Sequence, residues 1–271
     1  MLNRVTITGI DDKTDKQAIV DLSVAYPFVE WGILMSFDRT GQPRYPTIDW
    51  VIDFNRLLHE APGIHQVSAH LCGATARAAF KHATLPLIDG KPIDALFTRI
   101  QLNGFSYASR TPEAVGMINM LPARGYAAAF ILQSSNPDAS RIATMIERSE
   151  GNRIELEAME DDEPVPSFDQ LRRFHILFDR SGGKGIAPTG LDWTEAPQGA
   201  FCGYAGGIGP DNLEEMVQRA SGLAGGQPYW IDMESRVRER DVLKIDRVAR
   251  VLDLAKQFVE IKVEEPVATP A

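Results

Sequence analysis

Residues 201–212 read FCGYAGGIGPDN, and residues 174–185 read FHILFDRSGGKG. Each segment is a short apolar run that stops at a glycine-rich turn, and FCGYAGGIGPDN leads on into a helical pattern. A strand, a turn without Cβ atoms and a helix N-terminus gather backbone N–H groups around one small volume, with the positive end of a helix dipole behind them. That volume suits a phosphate group held without a charged side chain. The expected ligand is a phosphorylated small molecule.

Outward from these segments, hydrophobic periodicity gives eight short strand-like runs, at 4–8, 28–35, 66–71, 98–102, 127–132, 174–178, 201–205 and 229–233. Helical patterns lie between them, at 15–26, 47–59, 74–82, 111–121, 138–149, 210–223 and 244–259. The last is the clearest, with Ile245, Val248, Val251, Leu252, Ala255, Phe258 and Val259 at helical spacing. Alternation of strand and helix calls for a parallel sheet with helical crossovers, and eight such units favour closure. The predicted architecture is therefore α/β, a single-domain (β/α)8 TIM barrel over residues 1–262. An open doubly wound sheet is the structural rival. Its dinucleotide-binding form would place glycines after the first strand, where this chain has Gly9, Ile10, Asp11 and Asp12. Late glycines suit a barrel, whose phosphate sites are often made by the loops after strands seven and eight. Residues 150–167, with an acidic run and two prolines, read as an exposed loop insertion, and 263–271 as a flexible tail.

The chain's 271 residues, 44% of them hydrophobic, suffice for one large core. Its 28 basic and 37 acidic residues give a net charge of −9, which argues against nucleic acid or an anionic membrane as partner. The two cysteines, Cys72 and Cys202, are too few for a disulfide framework or a thiolate zinc site, and fit reduced thiols in a cytoplasm. No apolar run approaches membrane-spanning length. A cytoplasmic monomer or homodimer is expected.

Seven motifs in order carry a family resemblance. They are Ile7–Thr8–Gly9 after the first strand, then Pro43–Arg44–Tyr45, and Ile100–Gln101–Leu102–Asn103–Gly104 after the fourth. Next come Phe178–Asp179 with Gly182, Gly183, Lys184 and Gly185, then Asp192–Trp193, then Ala205 to Asn212 with Gly206 and Gly207, and finally Asp232 with Glu234 and Ser235. In this order the chain resembles phosphoribosylanthranilate isomerase, and the match spreads over most of its length. The resemblance implies an Amadori rearrangement without a cofactor, in which an aldose-type aminosugar phosphate becomes a ketose-type one. It gives Asp179 the role of general acid; to be protonated near neutral pH, that carboxyl needs partial desolvation or a neighbouring carboxylate. It gives Arg44 a carboxylate of the substrate, a partner that the guanidinium fork fits. Gln101, Gly182, Gly183, Lys184, Gly185, Gly206, Gly207, Asp232, Ser235 and Arg236 are expected to bind substrate or phosphate.

Thr8 stands where the family has its basic cysteine, and a hydroxyl cannot replace a thiolate as an unaided base. Asp11, His70 and Cys72, all near predicted strand ends, are the candidates for the relocated base. His70 has the best intrinsic pKa for that work, although a histidine hydrogen-bonded at the core edge reads equally well. Cys72 also reads as a small buried apolar residue. Glu30 and Trp31 interrupt an apolar strand, so one of them must face the barrel interior. Glu30 is expected against a helix end, since burial would require an arginine or a metal as partner. A metal held by His70, Asp179 and Asp232 is conceivable, but no ligand motif supports it. Other functions stay open: a lyase, aldolase or hydrolase on a sugar phosphate, or a non-catalytic phospholigand-binding protein.

Overall fold

Eight parallel strands close into a barrel: β1 (Leu2–Thr8), β2 (Val29–Met35), β3 (Gln66–Leu71), β4 (Arg99–Leu102), β5 (Ala129–Ser134), β6 (Phe174–Phe178), β7 (Cys202–Ala205) and β8 (Tyr229–Met233). Each pairs with its neighbours in sequence, and β1 pairs with β8 to close the ring. The computed structural model describes residues 1–63, 65–104, 118, 120–121, 124–134, 174–179 and 193–259. The predicted loop at 150–167, the predicted tail at 263–271 and the helix expected at 138–149 lie outside them. Among the described residues no helix is long and apolar enough to cross a membrane.

Helices α1 (Lys16–Ala25), α2 (Ile48–Glu60), α3 (Gly73–His82), α4 (Leu213–Ala224) and α5 (Ile245–Ala255) cover the outer face of the barrel. Their starts follow from sequence. Asp15 accepts hydrogen bonds from Gln17 N and Ala18 N at the head of α1, and the Thr47 hydroxyl accepts from Trp50 N at the head of α2. The outward residues of the strands, among them Val5, Ile7, Trp31, Ile33, Phe130, Ile176 and Ile231, form the main core with the buried faces of these helices. Val248, Val251, Leu252 and Ala255 of α5 join it, as their spacing predicts. Two antiparallel hairpins, Leu87–Ile88 with Lys91–Pro92 and Arg238–Glu239 with Val242–Leu243, were not expected. The first turns on Asp89 and Gly90, both at positive φ, a recognisable hairpin signal.

The barrel interior is divided. On the side of β5 to β8, Ile131, Leu177, Ala205 and Trp230 form a second apolar cluster. On the side of β1 to β4 most inward positions are polar, among them Thr6, Ser68, His70, Arg99 and Gln101, and Glu30 sits with them, completely buried. This corrects the expectation that Glu30 faces a helix end. Arg99 grips its carboxylate with Nε at 2.8 Å and Nη2 at 2.5 Å, and the Thr6 hydroxyl donates to it at 2.8 Å. Trp31 points outward instead, donating from Nε1 to Ser23 Oγ at 2.8 Å. A desolvated carboxylate thus has the arginine partner it needs.

Gly203 faces the Trp230 ring across the β7 and β8 pair. A Cβ there would lie 2.0 Å from Trp230 Cε2 and 2.4 Å from Cζ2. Gly203→Ala is expected to destabilise the protein by at least about 1–3 kcal/mol, read as a lower urea midpoint. An unchanged midpoint would mean that the interior repacks freely.

Candidate functional site

The C-terminal ends of the strands, where barrels of this kind carry chemistry, gather a set of carboxyl groups. Asp179 follows β6 directly, is 6% exposed, and accepts a hydrogen bond from Gln133 Nε2 at 2.8 Å. Asp232 near the end of β8 is equally buried and accepts from the Thr8 hydroxyl at 2.7 Å. Burial holds the Asp232 carboxyl well above the usual carboxylate range, the Thr8 hydrogen bond opposes it, and the charges of Asp179 and Glu234 add to it. Burial therefore favours the neutral form of Asp232. Glu234, two residues further on, is also raised, first by burial, against the pull of Arg44 and Arg238.

Thr8 and His70 meet at Gly32. A Cβ on Gly32 would lie 2.5 Å from Thr8 Oγ1 and 3.0 Å from His70 Nε2, so only glycine lets both side chains reach this point. His70 is 1% exposed and its Nε2 stands 3.1 Å from Ser68 Oγ. Burial lowers its pKa to about 4, with the Arg99 charge adding to the effect and Glu30 opposing it. The imidazole is neutral, a form that can accept a proton, but it is a weak base. Burial likewise pushes the Cys72 thiol up to about 11, despite a hydrogen bond from Asn103 Nδ2 to its sulfur. Cys72 is thus a thiol at neutral pH.

Asp11 is buried in a clamp between loops. Its Oδ2 accepts from Arg44 N at 2.7 Å and from Arg238 Nη2 at 3.2 Å, and its Oδ1 accepts from Lys13 N. Asp12 holds Thr47 N and the Thr47 hydroxyl. The acidic turn after β1 thereby fixes the loop after β2 and the 238–243 hairpin. Arg238 also donates to Gly9 O and to Asp241 O. Arg44 has a left-handed backbone, φ 75°, and its Nε donates to Glu234 Oε1 at 2.5 Å. Gln101 is buried; its Nε2 donates to Asn103 Oδ1 at 2.7 Å, and its Oε1 has no hydrogen-bond partner among the described residues.

After β7, Gly206 and Gly207 take φ of 116° and 55°, backbone that disfavours any other residue. Asn212 folds this turn, with Gly209 N donating to its Oδ1 at 2.9 Å and its Nδ2 donating to Gly207 O at 3.1 Å. The Gly209 amide is therefore committed inside the loop. Ser235 and Arg236 are exposed in a short 3-10 turn after β8. A Cβ on Gly209 would lie 2.5 Å from Arg236 Cβ, so the loops after β7 and β8 touch. Trp193 Nε1 donates to Ala205 O at 2.9 Å, which brings the end of the preceding loop to the same place. Gly182, Gly183, Lys184, Gly185 and Asp192 lie outside the described residues. Among the described residues no group of His, Cys, Asp or Glu could hold a metal.

Gln133, Arg238 and Glu234 were not predicted as site residues. The strand predicted at 127–132 stops short of Gln133, whereas β5 runs to Ser134. A polar residue following an apolar run was the available signal.

No protein-family model matches the chain, and no curated protein matches it. Solved structures do. Phosphoribosyl anthranilate isomerase from Thermus thermophilus is 17% identical, with 94% of this chain and 99% of that one covered and a TM-score of 0.49. N-(5'-phosphoribosyl)anthranilate isomerase from Pyrococcus furiosus is 14% identical, with 94% and 98% covered and a TM-score of 0.46. Phospho-2-dehydro-3-deoxyheptonate aldolase from Thermotoga maritima is 8% identical, with 94% and 69% covered and a TM-score of 0.52. At such an identity the likeness to the aldolase is one of fold, the closed eight-stranded barrel with helices outside.

Proposed function

We propose that the protein is an intramolecular isomerase that carries out an Amadori rearrangement of a phosphorylated aminosugar, in the manner of phosphoribosylanthranilate isomerase. The observation that carries this reading is the pair of buried carboxyl groups, Asp179 and Asp232, at the ends of β6 and β8 on either side of β7 and its Gly206 and Gly207 turn. The reaction needs one proton given and one taken. Protonation of the ring oxygen lets the C1–O bond break and leaves an iminium; loss of the C2 proton then gives an enaminol, which tautomerises to the ketose. No electrons leave the substrate. Asp179 is the acid in this reading, and neutral His70 takes the C2 proton. Gly206 and Gly207, with Arg236 and the glycines at 182, 183 and 185, hold the phosphate.

A second assignment of the protons is favoured by one observation. Burial, with the Asp179 charge adding to it, favours the protonated form of Asp232. In that assignment Asp232 gives the proton and Asp179 accepts the one from C2, since environments that push two titratable groups apart mark out acid and base.

Incubation with N-(5'-phosphoribosyl)anthranilate or its N-phenyl analogue, followed by NMR of the C2 position, tests the reading. Expected is exchange or loss of the C2 proton with formation of a ketose carbon. Tight binding of ribose 5-phosphate with no change at C2 in either compound would favour a non-catalytic phospholigand-binding protein.

A further inference from the structure

We propose that Glu234 occupies the carboxylate position at Arg44, so the N-substituent of the substrate is a neutral or cationic amine that carries no carboxylate. The proposal rests on the aminosugar phosphate reading of this barrel mouth and names the substrate class. Arg44 is the guanidinium that the family resemblance assigns to the substrate's carboxylate. Here its Nε and one terminal nitrogen both face Glu234 Oε1, the first at 2.5 Å. The fork is filled from within the chain.

The pairing is fixed from both sides. Arg44 N is tied to Asp11 Oδ2, and Glu234 Oε1 packs over Gly9, 3.1 Å from where a Cβ would stand. The Arg238 guanidinium next to it is committed to Asp11, Gly9 O and Asp241 O. A ligand carboxylate at Arg44 would have to compete with Glu234 for the guanidinium and would bring a further negative charge to a rim that already holds Glu234 and Asp179. The described side chains of this rim that touch Glu234's charge are Asp179 and Asp232 on one side and Arg44 and Arg238 on the other. An arriving donor or cation meets acceptors instead of competing with one.

A second observation points the same way. Gln101 Oε1 is buried without a hydrogen-bond partner among the described residues, in a residue 3% exposed. From Gln101 a chain of side chains runs through Asn103 and Cys72 to Tyr45, the neighbour of Arg44. An unmade acceptor at the end of that chain wants an N–H or O–H donor, which a carboxylate cannot supply.

Calorimetric titration of the whole protein with 2-aminobenzoate, aniline and benzylamine, each with and without ribose 5-phosphate, tests the proposal. Benzylamine and aniline are expected to bind at least about tenfold more tightly than 2-aminobenzoate, and Glu234→Gln should reverse that order by freeing Arg44. Arg44→Met, which leaves Glu234 unpaired, should strengthen benzylamine binding further. The proposal is overturned if 2-aminobenzoate binds the native protein as well as the amines do, if none of the three binds, or if Arg44→Met abolishes 2-aminobenzoate binding. Ribose 5-phosphate alone is the separate arm: its failure to bind removes the sugar-phosphate reading, whereas the order among the three amines judges Glu234.

Discussion

Replacing Asp179 by Asn is expected to cut turnover of a phosphorylated aminosugar by roughly 10²–10⁴-fold, with the thermal midpoint almost unmoved. An amide of the same shape can keep the place beside Gln133 Nε2 but can neither give nor take the reacting proton. Asp232→Asn then separates the two proton assignments. If Asp179 is the donor, Asp232→Asn retains most of the rate, because a neutral amide can accept the Thr8 hydrogen bond at a place where burial favours an uncharged group. If Asp232 is the donor, native kcat/KM falls as pH rises through its raised pKa, since an acid must be protonated to act, and Asp232→Asn removes the activity. Steady-state pH profiles of the three proteins decide. An Asp179→Asn enzyme with native turnover would end the isomerase mechanism argued here.

The barrel was legible because outward strand positions obey one rule. Val5, Ile7, Trp31, Ile33, Ile176 and Ile231 are apolar for a single reason, burial under helices, and alternate with residues that are not. Inward positions follow several rules at once. Trp230 fills space that Gly203 leaves, Glu30 answers Arg99, and Asp232 answers Thr8, all through partners distant in sequence. Period-two patterning shows that Glu30 or Trp31 points inward; it cannot show that Arg99, 69 residues later, makes Glu30 the tolerable choice. The site was legible to the same degree. Strand-end residues such as Asp179 and Asp232 could be placed by counting, whereas the Arg44 and Glu234 pair depends on how two loops fold over Asp11 and Gly9. Left-handed Arg44 has no local signal, because the usual glycine is absent at that position.

Arg99→Met is expected to cost about 3–5 kcal/mol of stability, because it strands a buried carboxylate. Glu30 would keep Arg4 Nη1 at 3.4 Å and the Thr6 hydroxyl, and lose both hydrogen bonds of the Arg99 fork. The variant also loses the guanidinium stacked 4.3 Å above the Trp230 ring. For a chain of this length the midpoint should fall by on the order of 10 °C. A double change, Glu30→Leu with Arg99→Met, should recover much of it, since well-packed apolar residues often match a buried ion pair. Acid adds an independent check. Burial pushes Glu30 up, but Arg99 and Arg4 outweigh it and hold the carboxyl down at about 2, against 4.5 ordinarily. A depressed carboxylate contributes stability that is full above 4.5 and lost as pH falls towards 2. His70, lowered from 6.5 to about 4, takes up its proton more readily when unfolded, so its contribution is lost between those values as pH falls. The native protein should therefore weaken in two stages, and the double variant should lose only the lower one. Urea midpoints of both proteins measured from pH 7 to pH 2 would show this; a native protein that loses no more stability below pH 4.5 than the double variant would mean that the Arg99 fork does not hold Glu30 ionised.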